Sequence, residues 1–142
     1  MEKLKYYFAH IGFEGDDLEK IINSFELKSF KKNDFVIEEG KICKHIGFVE
    51  TGMFQYYVIK DGEERTTYVS IENTFFASVL SFISKAPALE NVRALTDGSI
   101  SLISRENLKK LVDDIPGFKD FYINLLEHTI CGIGISYSFS FR

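Results

Sequence analysis

Tryptophan is absent from this sequence of 142 residues, and cysteine and proline occur only twice each. Cys43 and Cys131 are far apart, and neither has a second Cys or a His at ligand spacing, which excludes a four-thiolate cluster. Two reduced thiols are the expected state. The sequence also lacks a signal-peptide pattern and any apolar run long enough to span a bilayer. We therefore expect a cytoplasmic protein that does not enter a membrane.

Clustered positive charge is missing as well. Lys and Arg number 17 against 21 Asp and Glu, the formal net charge is -4, and the basic residues are scattered along the chain. A module that neutralises phosphates needs a concentration of Lys and Arg. We predict that no nucleic acid binds through this chain alone.

The usual combinations of catalytic or metal-binding residues are not found. His10, His45 and His128 share no metal-ligand spacing, and Ser78 and Ser81 have no His and Asp partners in a nucleophile-elbow context. We predict that the protein is not an enzyme and carries no metal or cofactor. An enzyme of the double-stranded β-helix class is the weakest alternative, because its metal ligands are missing.

Phenylalanine is what the sequence has in abundance, with fourteen Phe beside seven Tyr. Such aromatic content suits a packed β-core, and the length suits one domain. Apolar residues at helical spacing predict two helices within residues 1–26 and a last helix near the C-terminus. We divide the chain into N-terminal helices (1–26), a β-rich middle (27–112), and a C-terminal helix with a tail (113–142).

Turn signals divide the middle of the chain into short strands. Asp61-Gly62 lies between two strand patterns and predicts a hairpin. Asp97-Gly98 separates the strand patterns 92–95 and 100–103 and predicts a second hairpin.

Two helices are predicted among these strands. The apolar stretch 74–84 predicts a short helix, which Pro87 stops. Ser104 predicts the N-cap of a helix over 105–112. The order of elements predicts an α+β fold, an antiparallel β-roll (double-stranded β-helix, jelly-roll-like) with flanking helices.

This order resembles one known family. The run from Phe35 to Leu111 is similar to the β-roll of the cyclic AMP receptor and fumarate-nitrate regulator (CRP/FNR) family, a cyclic-nucleotide-binding-like sensor domain. The matching segments are Glu39-Gly40, Phe48-Val49-Glu50-Thr51-Gly52, Asp61-Gly62, Thr74-Phe75-Phe76, Val92-Arg93-Ala94-Leu95-Thr96-Asp97 and Ser104-Arg105. The resemblance implies a roll that holds a ligand beside its short helix.

In that family a phosphate-binding cassette uses a Gly-Glu-Leu triplet at the start of the short helix and an Arg after it. The helix N-terminus receives the phosphate, the Glu takes the ribose, and the Arg neutralises the charge. By the resemblance, the triplet corresponds to Ala77-Ser78-Val79, after Phe76, and the Arg position to Ala88, before Leu89. Arg65 and Arg93 are the nearest replacement cations, although a solvated surface position is expected for each.

These departures leave the cassette degenerate, without its usual carboxylate and guanidinium. Burying a phosphate without a cation is costly, so we do not expect cyclic AMP to bind in the usual pose. The leading hypothesis is the ligand-sensing regulatory domain of a CRP/FNR-type transcription regulator without its helix-turn-helix part, with an unknown small-molecule effector or none. The alternative is a stand-alone β-roll that acts as a protein-interaction module without a small-molecule ligand.

The last predicted helix has two interpretations. Its apolar stripe is either core packed on the roll or, as the resemblance implies, the seam of a homodimer; the stripe consists of Phe118, Phe121, Tyr122, Leu125 and Thr129. In the family this helix leads to a helix-turn-helix domain, which we expect to be absent here. The alternating tail after Gly134 predicts a strand or a disordered tail.

Overall fold

A computed structural model describes residues 1–128. The helices are α1 (Glu2–His10), α2 (Gly15–Asn23), α3 (Val79–Ser84), α4 (Arg105–Asp114) and α5, which is helical over the described residues 118–128. The strands are β1 (Glu26–Phe30), β2 (Phe35–Ile37), β3 (His45–Thr51), β4 (Phe54–Lys60), β5 (Glu63–Ser70), β6 (Phe75–Phe76), β7 (Asn91–Ala94) and β8 (Gly98–Ser104). The predicted tail and Thr129 lie outside the described residues.

The strands form two four-stranded antiparallel sheets. One sheet has the order β1-β8-β3-β6 and the other the order β2-β7-β4-β5. Phe54 of the second sheet stacks on Phe76 of the first, with ring centroids 6.2 Å apart, so aromatic side chains fill the space between the sheets. The predicted α+β roll with flanking helices is confirmed.

Alternation along β3 separates the inside of the roll from the face under the helices. Gly47 pairs with Leu102 and Phe76 and faces the interior. Phe48 points to the opposite side, where its ring lies 5.8 Å from Tyr7 of α1. One face of this sheet therefore lines the roll, and the other supports the helices.

The hairpin predicted at Asp61-Gly62 is confirmed. β4 and β5 pair up to Lys60 and Glu63, and the two turn residues have φ angles of 54° and 78°. Two successive residues with positive φ are typical of the tight hairpin turn that Asp-Gly favours.

The hairpin predicted at Asp97-Gly98 is wrong. β7 pairs with β2 and β4, whereas β8 pairs with β1 and β3 in the other sheet. The turn therefore carries the chain from one sheet to the other. Local sequence signals predict where the chain reverses its direction. They do not predict the sheet to which the next strand belongs, because strand pairing depends on residues far away in the sequence.

The two helices predicted within the middle region are present. The stretch 74–84 begins as strand, since β6 pairs with β3, and α3 starts only at Val79. Ser104 caps α4 as predicted: the backbone N–H of Asn107 donates to its hydroxyl over 3.2 Å.

An aromatic cluster joins the N- and C-terminal helices to the roll. Phe8 is fully buried, and its ring centroid lies 4.9 Å from that of Phe121 and 6.1 Å from those of Phe118 and Phe75. These four Phe residues, of the fourteen in the sequence, fix α5 against the outer face of the roll.

Candidate functional site

Four of the six predicted ligand-site residues lie at the point where β6 gives way to α3. Phe76, Ala77 and Ser78 are buried, and Val79, the first residue of α3, is half-buried. Ser78 occupies the N-cap position, but its side chain makes no capping hydrogen bond. The geometry of a strand leading into a short, partly buried helix is thus present at the predicted place.

Ala88 and Leu89 follow α3 on the loop to β7. Ala88 is buried, its backbone N–H donates to the Lys41 carbonyl over 2.8 Å, and its carbonyl accepts from the Gly40 N–H over 2.9 Å. Leu89 is 67% exposed and turns away from the interior. The buried position therefore offers a ligand only a methyl group, and its backbone groups already have partners.

Tyr56 fills the interior next to these residues. It is fully buried, and its hydroxyl donates to the carbonyl oxygen of Ala77 over 3.2 Å. Its ring makes edge contacts with Phe76 at 6.2 Å and Tyr68 at 5.7 Å. A phenol therefore occupies the space in front of the predicted site. The sequence analysis missed this residue, although its period-two spacing from Phe54 places it on the inward face of β4.

A buried hydroxyl ties α3 to the segment before β3. The Ser81 hydroxyl donates to the Ala86 carbonyl over 2.6 Å and accepts from the Cys43 backbone N–H over 2.8 Å. It thereby satisfies polar groups on both sides of the helix. Ser81 has a structural role here, in agreement with the absence of a catalytic pattern around it.

The thiol of Cys43 lies at this junction. It is buried and unbridged, and it donates to the His45 carbonyl over 3.3 Å. Burial raises its pKa, with a smaller opposing effect of a hydrogen bond from the Ser78 backbone. The thiol form is therefore favoured at neutral pH, and the group is a poor nucleophile.

The side chains of the two candidate replacement cations, Arg65 and Arg93, do not lie inside the roll. Arg93 lies between the inward residues Val92 and Ala94, and its guanidinium donates to both carboxylate oxygens of Glu64 on the outer face. Arg65 is exposed. Arg93 thus has a specific partner, where the sequence suggested only a solvated position.

The predicted stripe on the last helix divides into two parts. Phe118 is fully buried, and Phe121 packs on Phe8 and Phe75, so both contribute to the core. Tyr122 and Leu125 are half-buried.

Residues 1–128 contain neither a metal-binding cluster nor a membrane-spanning helix. No group of three or more His, Cys, Asp or Glu side chains in this part lies close enough to hold a metal ion. No described helix combines the length and the apolar character needed to cross a bilayer.

Sequence comparison decides the family. Residues 27–114 match the profile of the cyclic nucleotide-binding domain. The chain belongs to the cyclic nucleotide-binding domain family. The resemblance to a cyclic-nucleotide-binding-like domain is confirmed at this level. Comparison with curated proteins gave no match.

Solved structures share the fold at low sequence identity. A cyclic nucleotide-binding domain from Methylobacillus flagellatus has a TM-score of 0.76 and 16% identity, with 89% of this chain and 71% of that chain covered. The sensor domain of the transcriptional regulator DNR from Pseudomonas aeruginosa gives 0.73 and 15%, with 91% and 87% covered. The catabolite activator protein of Thermus thermophilus gives 0.75 and 15%, with 90% and 60% covered. This chain thus spans 60% of the length of that activator.

Proposed function

We propose that this chain is the ligand-sensing regulatory domain of a CRP/FNR-type transcription regulator, that it is not an enzyme, and that it does not bind cyclic AMP in the usual pose. The family and the fold shared with a catabolite activator protein and a regulator's sensor domain support the regulatory role. The observation that carries the statement about cyclic AMP is the hydrogen bond from Tyr56 to Ala77 inside the roll.

Two physical obstacles oppose the usual cyclic nucleotide pose. The first is steric, because the buried ring of Tyr56 would have to leave before a ligand could contact Ala77. The second is electrostatic, because Ala88 places a methyl group where the family has a guanidinium. Burying a phosphodiester without a charge partner leaves its desolvation uncompensated.

The regulatory signal would pass from α3 to α5. Val79 and Phe82 of α3 line a cavity of only about 10 Å³ together with Leu125 and Leu126 of α5. Because the two helices pack this tightly, a movement of α3 would displace α5 as well. A ligand that binds one arrangement of these helices better than another would shift the population between them.

Calorimetric titration and thermal unfolding with cyclic AMP test the proposal. We expect no stoichiometric heat and no rise in the midpoint of unfolding at millimolar ligand, since a ligand far below its Kd does not stabilise the fold. Saturable binding of cyclic AMP that disappears in Arg93→Gln would contradict the proposal, because it would show that Arg93 binds the phosphate as a replacement cation.

A variant offers a positive control for the assay. Tyr56→Val/Ser78→Glu/Ala88→Arg removes the phenol and supplies the carboxylate and guanidinium of the family cassette. We expect this variant, once its folding is verified by circular dichroism, to gain a midpoint shift with cyclic AMP. Adenosine, which lacks the phosphate, should give a smaller shift.

The sensory role needs a separate screen against small metabolites. Stabilisation of the wild-type protein by one chemical class would support it. A protein that no metabolite stabilises, but that binds a partner protein at stoichiometric ratio, would favour the interaction-module alternative.

The homodimer through the last helix stays a prediction. Ile123 is exposed on α5, and Ile59 is comparably exposed on β4, far from that helix in sequence. If α5 forms the seam, Ile123→Glu will lower the mass measured by light scattering, whereas Ile59→Glu will not. Equal masses for both variants and the wild type would exclude the seam at this position.

A further inference from the structure

A cleft enters the roll between β1 and β2, with the segment 41–45 along one side. Its volume is about 290 Å³, near the lower end of the range of about 300–1,000 Å³ typical of small-molecule sites. Among the six residues predicted for the cassette, only Phe76 lines this cleft. It is therefore a different place from the family's ligand site.

The inner wall of the cleft is apolar and comes from both sheets. Its members are Phe30, Val36, Ile37, Cys43, Phe76 and Leu102. Phe30, Ile37 and Phe76 are buried, so they belong to the rigid core of the roll. A wall of this kind favours a ligand with an aromatic or aliphatic body.

The rim of the cleft is cationic. Lys28, Lys41 and Lys44 line it, and the carboxylate among its lining residues is Glu38. Glu38 lies 3.3 Å from the ammonium of Lys41. Within residues 1–128, neither Lys28 nor Lys44 forms an ion pair. The Lys28 ammonium lies 5.2 Å from the centroid of the Phe30 ring. Two positive charges without a carboxylate partner in residues 1–128 thus lie at the mouth of an apolar cleft, on a chain whose net charge is -4.

The positive rim continues into a neighbouring concavity of about 360 Å³, which shares Ile42, Lys44 and His45 and adds Lys85 and Arg105. Arg105 is fixed there, because it donates to the Phe82 carbonyl and its guanidinium lies 4.9 Å from the centroid of that ring.

Glu106 is the carboxylate that lines this second concavity. Its pKa is lowered, first by a hydrogen bond from its own backbone N–H at the start of α4. The carboxylate thus contacts the start of the helix, and it also interacts electrostatically with Arg105 and His45.

Resting on the proposed sensory function, we propose that this cleft binds a small amphipathic organic anion. Its apolar body would lie between Phe30 and Phe76, and its carboxylate, sulfonate or phosphate would meet Lys28 and Lys44 at the rim. Such a ligand matches the cleft because its apolar body would leave water against the apolar wall. Its charged group would stay at the water boundary, beside the lysine ammonium groups.

The segment that borders the cleft also contacts the helix next to the cassette. The Cys43 N–H donates to Ser81 of α3, and the Lys41 carbonyl accepts from Ala88. An occupied cleft would therefore bias the position of α3, and through α3 that of α5.

The fluorescent probe 1-anilinonaphthalene-8-sulfonate has the predicted chemistry, an aromatic body with one sulfonate. We expect saturable binding at low salt, with amide shifts in two-dimensional NMR concentrated in residues 28–30, 35–38 and 41–45. Lys28→Gln/Lys44→Gln should weaken the affinity by about tenfold, since each removes a charged contact. The matched control Lys60→Gln/Lys109→Gln changes the net charge equally on other exposed surfaces and should bind like the wild type.

The geometry makes a second variant informative. Leu102→Phe adds volume to the half-buried wall and should lower the affinity without removing a charge; an unchanged near-ultraviolet circular dichroism spectrum will establish that it is folded. The proposed anion site would be contradicted by amide shifts confined to residues 76–89. It would also be contradicted by equal affinities for the wild type and the Lys28→Gln/Lys44→Gln variant. Either result would leave the cyclic AMP prediction standing, because calorimetry tests that prediction independently.

Discussion

The guanidinium of Arg93 donates to both carboxylate oxygens of Glu64 across β4, one of them over 3.0 Å, and lies 4.5 Å from the centroid of the Tyr57 ring. The pair joins β7 to β5 on the outer face of the second sheet. It also holds the guanidinium away from the interior, so one of the two candidate replacement cations already has a partner.

Substitution of Arg93 should lower the free energy of unfolding more than substitution of Glu64. Glu64→Gln removes a half-exposed ion pair and should lower the free energy of unfolding by no more than about 1 kcal/mol. Arg93→Ala also removes the contact with Tyr57 and the hydrogen bond to Gln55, and should cost about 1–2 kcal/mol. Urea denaturation measures both, and equal losses would show that neither the ring contact nor the hydrogen bond to Gln55 contributes to stability.

Gly47 allows the two inner side chains beside it to approach closely. A Cβ built there would lie 2.7 Å from Cε1 of Phe76 and 2.8 Å from Cγ2 of Ile100. Gly47→Ala should therefore destabilise the protein by about 1–3 kcal/mol through overpacking. The double variant Gly47→Ala/Phe76→Leu should be less destabilised than the sum of its single variants, because the smaller side chain relieves the clash. Strict additivity in urea denaturation would contradict this explanation.

Ser104 contributes its hydroxyl to the start of α4. Ser104→Ala should lower the free energy of unfolding by about 1 kcal/mol, since the N–H of Asn107 loses its acceptor. Ser104→Asp keeps an acceptor at the N-cap and serves as the control. Thermal and urea unfolding should rank the aspartate variant close to the wild type and the alanine variant below both. Loss of stability in both variants would assign the effect to packing instead.

Cys43 lines the proposed cleft, but it should react only slowly with thiol reagents in the folded protein, because only 6% of its surface is exposed. Its side chain is buried, and its raised pKa leaves little thiolate at neutral pH. In a Cys131→Ser background, we expect slow modification by a disulfide reagent at pH 7.5 and complete, rapid modification in urea. Rapid stoichiometric reaction of the native protein would contradict the prediction, because it would show that the reagent reaches a reactive thiol either through the cleft or by opening of the segment 41–45.

The sequence by itself determined the local elements, and by the family resemblance it also predicts a cassette that lacks its usual charged groups. Asp61-Gly62 encodes its turn because adjacent residues supply the required φ angles, and Ser104 encodes its cap through a contact three residues away. Position 88 likewise carries no positive charge because it is an alanine, and this is true whatever the position of the loop in the fold.

Only the tertiary structure decided the pairing of the strands and the contents of the roll. The turn at Asp97-Gly98 connects two sheets because β7 and β8 find partners far away in sequence. The contact of Tyr56 with Ala77 and the cleft beneath Lys28 arise only when the sheets face each other. Contacts of this kind depend on the sum of many non-local interactions, which no short stretch of residues encodes.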